Sequence, residues 1–191
     1  MLTLKRSFPY LGAGLGLGLV VLIAWLSRET LAPIEVGGPA PDFALVDLQG
    51  NPKSLEDYRG SVLLLNIWAT WCTPCKEEMP SMQRLYDEVQ DEDFRIVAVS
   101  IDRAPPDADP QNPVGGKLRA FADSLGLTFT ILHDPEGEIS TTYQASGVPE
   151  SFVLDRDGRV VERIRGPRDW DEPRAVEMIR SVLHPGTDSG Q

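Results

Sequence analysis

Beyond about residue 39, the apolar and polar positions form alternating patterns that predict strands and helices. Short, largely apolar runs have the length of β-strands, and the Asp-Gly turn at 157–158 predicts a hairpin. The strands are predicted at 42–48, 61–69, 94–102 and 129–134, with the hairpin at 150–166. The run at 61–69 is continuously apolar, which is typical of a central strand that is buried on both faces.

Helices are predicted where apolar residues recur every three or four positions. The longest covers 73–90 and contains Pro80, which we expect to kink it. A short helical turn capped by Ser54 is predicted within 51–60. Further helices are predicted at 117–126, within 136–147 and at 171–184, and the proline-rich and glycine-rich segment 103–116 predicts a loop. This order of elements predicts a three-layer α/β domain with a mixed sheet.

An uncharged run from Ser7 to Ser27 follows the basic pair Lys5 and Arg6. At about 21 residues it is long enough to cross the hydrocarbon core of a bilayer as one helix. Positive charge before the run predicts a cytoplasmic N-terminus and export of the remainder. No pair of small residues marks a cleavage site, so we favour an uncleaved signal anchor over a signal peptide. The expected organisation is a cytoplasmic N-terminus at 1–6, a transmembrane anchor at 7–27, a linker at 28–38, a folded domain at 39–184 and a flexible tail at 185–191.

Composition and charge narrow the functional classes. Hydrophobic residues make up 41% of the chain, so a domain of this size can bury a core without disulfide staples. The formal net charge is −11, and such a surface repels the phosphate backbone of nucleic acids. We therefore expect no nucleic-acid partner.

The segment "ATWCTPCKEEMP" holds the two cysteines of the chain, Cys72 and Cys75. A structural zinc site needs four ligands, and neither His133 nor His184 has a partner at motif spacing, so we predict no metal site and no prosthetic group. A disulfide across two intervening residues closes too small a loop to stabilise the fold by much. The same spacing suits thiol–disulfide exchange, because one thiol can reach the mixed disulfide that the other forms.

The position of the pair points to a division of roles. Cys72 follows a predicted buried strand and stands where a helix begins, where free backbone N–H groups and the helix dipole favour a thiolate. We therefore expect a lowered pKa for Cys72, which makes it the attacking thiol and Cys75 the resolving thiol. Trp71 precedes the pair, and Pro74 lacks an N–H donor and stiffens the first helical turn.

The motif "WCTPC" after "LLLNIWAT", with "GVPESFVLD" some seventy residues later, resembles the thioredoxin superfamily. The stretch from "PDFALVDLQG" to "KEEMP" is similar, more narrowly, to the membrane-anchored TlpA/ResA/DsbE-like branch of thiol–disulfide oxidoreductases. The resemblance covers about residues 37–184. It implies a thioredoxin-like α/β/α fold around a central mixed sheet, preceded here by one N-terminal transmembrane helix.

The resemblance also implies roles for residues around the cysteines. Pro149 matches the proline that is cis in this superfamily, and Val148 before it would offer backbone atoms to an incoming chain. Glu78 matches an acidic residue of the branch that tunes the redox pair, since a partly buried carboxylate can accept and return a proton. Its neighbour Glu77 is expected to be solvated. Asn66 stands where thioredoxins carry a buried aspartate, so the chain departs there from the thioredoxin pattern.

The predicted function is that of an exported thiol–disulfide oxidoreductase, which takes electrons from a membrane dithiol donor and reduces disulfides in client proteins. The resemblance implies apocytochrome c or a copper-handling protein as client. It implies a single-pass protein of the bacterial inner membrane, with its catalytic domain on the periplasmic or extracytoplasmic side.

Three alternatives remain open from the sequence. The same scaffold can act as an oxidant, because sequence does not fix the reduction potential. Two thiolates can also carry Cu(I) without any enzymatic role. A peroxidase fits less well, because Leu65 and Ala69 stand where the peroxidatic motif has a proline and a threonine.

Overall fold

A computed structural model describes residues 33–89, 92–103 and 115–186, together with positions 14, 16–19 and 21–22. The chain divides into two units, Met1–Pro33 and Ile34–Gln191. The described positions of the first unit before Pro33 are helical. None of the helices described has both the length and the apolar character that a membrane crossing requires. Most of the predicted anchor, the middle of the predicted loop 103–116 and most of the predicted tail lie outside the described residues.

In the described part of the second unit, seven strands form one mixed sheet in the order β2-β1-β5-β4-β3-β6-β7. The strands are β1 (Ala44–Asp47), β2 (Pro52–Ser54), β3 (Val62–Trp68), β4 (Phe94–Ser100), β5 (Thr130–His133), β6 (Glu150–Leu154) and β7 (Val160–Arg165). The central strands β3, β4 and β5 run parallel, whereas β6 and β7 are antiparallel to their neighbours. The predicted mixed sheet and its hairpin are confirmed, and Gly158 in the hairpin turn has the positive φ that such a turn requires.

Helices cover both faces of this sheet. They are α1 (Thr73–Val89), α2 (Gly115–Leu125), α3 (Glu138–Thr142) and α4 (Pro173–Leu183), with a 3-10 helix at Leu55–Tyr58. Alternate residues of β3 point into two separate cores, as the two-residue period of a strand requires. Val62 and Leu64 pack with α1, α2 and α4, whereas Leu63 and Leu65 pack on the other face with residues of α3 and the 3-10 helix. The predicted three-layer α/β/α arrangement is therefore confirmed.

The structure differs from the sequence prediction in small elements. Strand β1 is shorter than the predicted 42–48, and the edge strand β2 was missed because its three residues include a proline and a lysine. The helical turn after Ser54 is a 3-10 helix, and the backbone N–H of Ser54 donates to the Asp57 carboxylate at 2.7 Å. Helix α1 contains Pro80, as the sequence predicted, and the kink expected there stays a prediction.

Part of the predicted linker packs on the hairpin. The backbone N–H of Gly37 donates to the Val160 carbonyl at 2.7 Å, and the N–H of Ala40 donates to the Gly158 carbonyl at 2.9 Å. Pro39 forms an isolated bridge with Arg159. These contacts attach the chain immediately before β1 to the start of β7.

Candidate redox site

The two cysteines lie at the junction between the central strand β3 and helix α1. A turn from Ala69 to Cys72 connects the two elements, and the Cys72 N–H donates to the Ala69 carbonyl at 3.1 Å. The cysteines form a disulfide, with 5.3 Å between their Cα atoms. Cys75 is fully buried, and Cys72 is 6% exposed. The structure thus places Cys72 nearer the surface, as the attacking role proposed for it requires.

Two backbone groups face the sulfur of Cys72. The backbone N–H of Cys75 donates to Cys72 Sγ at 3.2 Å. The carbonyl oxygen of Val148 lies 3.6 Å from the same sulfur. The N–H belongs to the first turn of α1, where backbone donors have no partner within the helix. In the reduced protein the same N–H is placed to stabilise a thiolate on Cys72.

The loop before β6 completes the surface around the sulfur. The peptide bond between Val148 and Pro149 is cis, as the family resemblance implied. The indole of Trp71 is 64% exposed, although it is one of the large apolar side chains of the domain. Pro74 is exposed at the second position of α1. The structure therefore brings the Val148 carbonyl to Cys72 and leaves Trp71 open beside the pair.

Glu78 lies one turn beyond Cys75 on α1 and is 4% exposed. Its Oε1 accepts a hydrogen bond from Asn66 Nδ2 at 2.8 Å, and its Oε2 accepts one from the backbone N–H of Arg168 at 3.1 Å. Burial raises the pKa of Glu78 from 4.5 to about 7, and these hydrogen bonds partly oppose the rise. Near neutral pH this carboxyl group can therefore both hold and release a proton. Glu77, as expected, is exposed.

Asn66 connects Glu78 to strand β6. Its amide nitrogen carries two hydrogens, and both are used, since Nδ2 also donates to Ser151 Oγ at 2.9 Å. Both Asn66 and Ser151 are buried. The side chain that departs from the thioredoxin pattern thus orients the carboxylate of Glu78.

The loop that carries Val148 is held by a buried ion pair that sequence reasoning missed. Glu150 is fully buried, and its carboxylate accepts from Arg163 Nε at 2.6 Å and from the Ser146 N–H at 2.8 Å. Arg163 also donates to the Gln144 carbonyl at 2.6 Å. The one signal in the sequence was a glutamate at the start of a short strand that ends in three apolar residues.

The two histidines have partners of their own. His133 is buried, with Nε2 2.6 Å from the Asp102 carbonyl oxygen, and His184 Nε2 lies 2.7 Å from a carboxylate oxygen of Glu92. Over the described residues, no group of three or more His, Cys, Asp or Glu side chains is arranged to hold a metal ion.

Comparison with known proteins places the chain in a family. A model described as the AhpC/TSA family matches residues 36–163, which is more than half of the chain. The chain belongs to the AhpC/TSA family. It is 38% identical over 148 residues to thiol-disulfide oxidoreductase ResA of Geobacillus kaustophilus, a match that covers 77% of this chain and 79% of that protein. It is 34% identical over 155 residues to ResA of Bacillus cereus, covering 81% of this chain and 83% of that protein.

Solved structures agree with this placement. A crystal structure of a candidate DsbE thiol:disulfide interchange protein from Chlorobium tepidum matches with a TM-score of 0.68 and 33% sequence identity, over 78% of this chain and 99% of that one. StoA from Bacillus subtilis matches with a TM-score of 0.55 and 26% identity, over 75% of this chain and 97% of that one. The chain is thus a thioredoxin-like thiol–disulfide oxidoreductase, and its disulfide between Cys72 and Cys75 is of the kind that such enzymes exchange.

Proposed function

We propose that this enzyme is anchored in the bacterial inner membrane and reduces disulfides in exported client proteins through Cys72. The single observation that carries the catalytic part is the position of Cys72 Sγ, 3.2 Å from the Cys75 N–H at the start of α1. That donor favours the thiolate, which is the nucleophile in disulfide exchange.

The exchange proceeds in two steps. The Cys72 thiolate attacks one sulfur of the client disulfide, which forms a mixed disulfide and releases the other client sulfur as a thiolate. Cys75 then loses its proton and attacks Cys72 Sγ, which releases the second client thiolate and leaves the disulfide that the structure contains. The client gains two electrons, and the enzyme is oxidised by two. A membrane dithiol donor returns the enzyme to its reduced form.

Glu78 is the proposed proton acceptor for Cys75. It lies one helical turn away, it is buried, and burial raises its pKa to about 7. A carboxyl group with a pKa near the working pH can take up the thiol proton in one direction and return it in the other. The carbonyl of Val148 and the exposed ring of Trp71 are the proposed docking groups for the client backbone and side chains.

The client and the location are proposals supported by the sequence. Apocytochrome c or a copper-handling protein is the proposed client class, because the chain resembles the branch that serves such clients. The basic pair Lys5 and Arg6 before the apolar run 7–27 supports an anchor with the domain on the periplasmic or extracytoplasmic side. Fractionation tests the anchor. The full chain should stay with membranes after a carbonate wash, and a chain that lacks residues 1–32 should not.

The reduction potential of the Cys72–Cys75 couple tests the direction of electron flow. Titration of the full chain in detergent against dithiothreitol buffers should give a value near or below about −270 mV, in the range of thioredoxin. A value near about −120 mV, that of a strong oxidant, would mean that the protein forms disulfides instead. Tight binding of one Cu(I) per chain without reversible disulfide exchange would replace the enzymatic proposal with copper transfer.

A further inference from the structure

Asp102 is a buried carboxylate next to the turn that leads into the redox pair, and the exchange steps do not use it. The residue is 6% exposed. Its Oδ2 accepts hydrogen bonds from the Thr70 N–H at 2.8 Å and from Ser100 Oγ at 2.7 Å. Its Oδ1 accepts one from Thr70 Oγ1 at 2.6 Å. The N–H and the hydroxyl of Thr70 therefore both donate to Asp102, a residue that is distant in sequence.

The sheet topology explains why these residues meet. Strands β3 and β4 are parallel neighbours in which Trp68 pairs with Ser100, and Thr70 and Asp102 each follow these residues by two positions. On the other side of Asp102, its carbonyl oxygen lies 2.6 Å from Nε2 of His133, at the end of β5. Asp102 thus joins the carboxyl ends of three parallel strands.

Thr70 lies within the turn that places the attacking sulfur. The turn is closed by the hydrogen bond from the Cys72 N–H to the Ala69 carbonyl, and it leads directly to the contact between Cys72 Sγ and the Cys75 N–H. Hydrogen bonds weaken steeply with distance and angle. A turn that shifts by a few tenths of an ångström would therefore lose part of the stabilisation of a Cys72 thiolate.

We propose that Asp102 is a positioning residue for Cys72, which acts by fixing Thr70 and with it the turn that holds the sulfur against the helix N-terminus. The proposal rests on the proposed function, since it assumes that the Cys72 thiolate is the nucleophile. A carboxylate suits this position, because it accepts from the N–H and the O–H of Thr70 at once. An asparagine could keep both contacts, since the hydroxyl of Thr70 can also accept from an amide nitrogen, so the test removes the side chain's polar atoms altogether.

The reactivity of the Cys72 thiol against pH tests this role. The reduced full chain in detergent, carrying Cys75→Ser so that one thiol remains, is alkylated with iodoacetamide and followed by mass spectrometry. Serine at position 75 keeps the backbone N–H. Thr70→Val removes one hydrogen bond to Asp102 without changing any charge, Thr70→Ser keeps the hydroxyl donor, and Asp102→Ala removes the carboxylate with every hydrogen bond that it accepts.

Positioning predicts the same direction for two chemically different variants. Thr70→Val and Asp102→Ala should both move the midpoint of alkylation to higher pH and slow the reaction at pH 7 by about three- to tenfold. Thr70→Ser should match the parent. If the Asp102→Ala variant does not fold, judged by near-ultraviolet circular dichroism, the matched pair Thr70→Val and Thr70→Ser still decides the question.

Other outcomes would overturn the inference. If the carboxylate acts through its charge alone, Asp102→Ala lowers the midpoint, because loss of a negative charge favours a nearby thiolate, and Thr70→Val leaves it unchanged. If neither variant shifts the midpoint while the parent reacts at low pH, positioning fails and the proposed function stands. A parent midpoint near that of a free thiol, about 8.5, would overturn both.

Discussion

The buried carboxyl group of Glu78 predicts how the free energy of unfolding depends on pH. Its pKa is about 7 in the folded chain, mainly because of burial, and returns to 4.5 when the chain unfolds. Between these values the folded state binds more protons than the unfolded state. The stability that protonated Glu78 contributes is therefore fully present below about pH 4.5 and is lost as the pH rises through 7.

The size of the effect follows from the two pKa values. They differ by about 2.5, and one pKa unit is worth about 1.36 kcal/mol, so the contribution of Glu78 falls by about 3 kcal/mol between pH 4.5 and pH 8. Glu78→Gln removes this titration while keeping the size of the side chain. The glutamine oxygen can still accept from Asn66, but the hydrogen bond from the Arg168 N–H then loses its acceptor, which costs about 1–2 kcal/mol at every pH.

Urea unfolding of the oxidised protein is followed by tryptophan fluorescence at half-unit steps from pH 4.5 to pH 8. It measures both the pH-dependent contribution of Glu78 and the constant cost of the lost hydrogen bond. The stability of the parent minus that of Glu78→Gln should decrease by about 3 kcal/mol across this range. Glu77→Gln is the matched control, because Glu77 is the exposed neighbour on the same helix, and its difference curve should be flat. A flat curve for Glu78→Gln as well would refute a carboxyl group that titrates near pH 7.

Two further predictions follow from the loop and the cysteines. Glu150→Gln should lower the free energy of unfolding by about 3 kcal/mol at pH 7, because it leaves Arg163 without its buried partner, while Glu162→Gln on the exposed side of β7 should change it little. Equal urea midpoints for these two variants would contradict a stabilising role for the ion pair between Glu150 and Arg163. Cys75→Ser should accumulate a mixed disulfide between Cys72 and a disulfide-bonded client peptide on non-reducing gels, because the resolving thiol is missing. Rapid loss of this adduct would argue against Cys75 as the resolving residue.

The sequence predicts those parts of the fold that leave a local pattern. The apolar run of β3 and the helical spacing of α1 are both continuous in sequence, and the redox pair lies at their junction. The cis bond before Pro149 is different, because its prediction came from the resemblance and not from any local pattern. Local pattern and resemblance together were enough to bring Cys72, Cys75 and Pro149 to one place.

The polar contacts behind the site leave no such pattern. Thr70 and Asp102 are 32 residues apart, and Glu78 and Arg168 are 90 apart. Asp102 is the polar last residue of the predicted strand 94–102, directly before the predicted loop, so nothing in its neighbourhood separates it from a solvated turn residue. Burial of a carboxylate depends on which strands become neighbours, and that is decided by the assembled sheet.

Asn66 and Glu78 show how two such residues acquire a joint role. In the thioredoxin pattern the buried carboxylate stands on the central strand, at the position of Asn66, whereas here it stands on α1 at Glu78. A carboxylate at position 66 in place of the amide would face the Glu78 carboxylate at 2.8 Å and repel it, so the amide of Asn66 allows Glu78 to ionise. The amide also uses its second hydrogen on Ser151, which fixes the direction of the donor to Glu78. The loss of an acid on the strand and the burial of an acid on the helix are therefore parts of one arrangement, which keeps a single titrating carboxyl group one turn from Cys75.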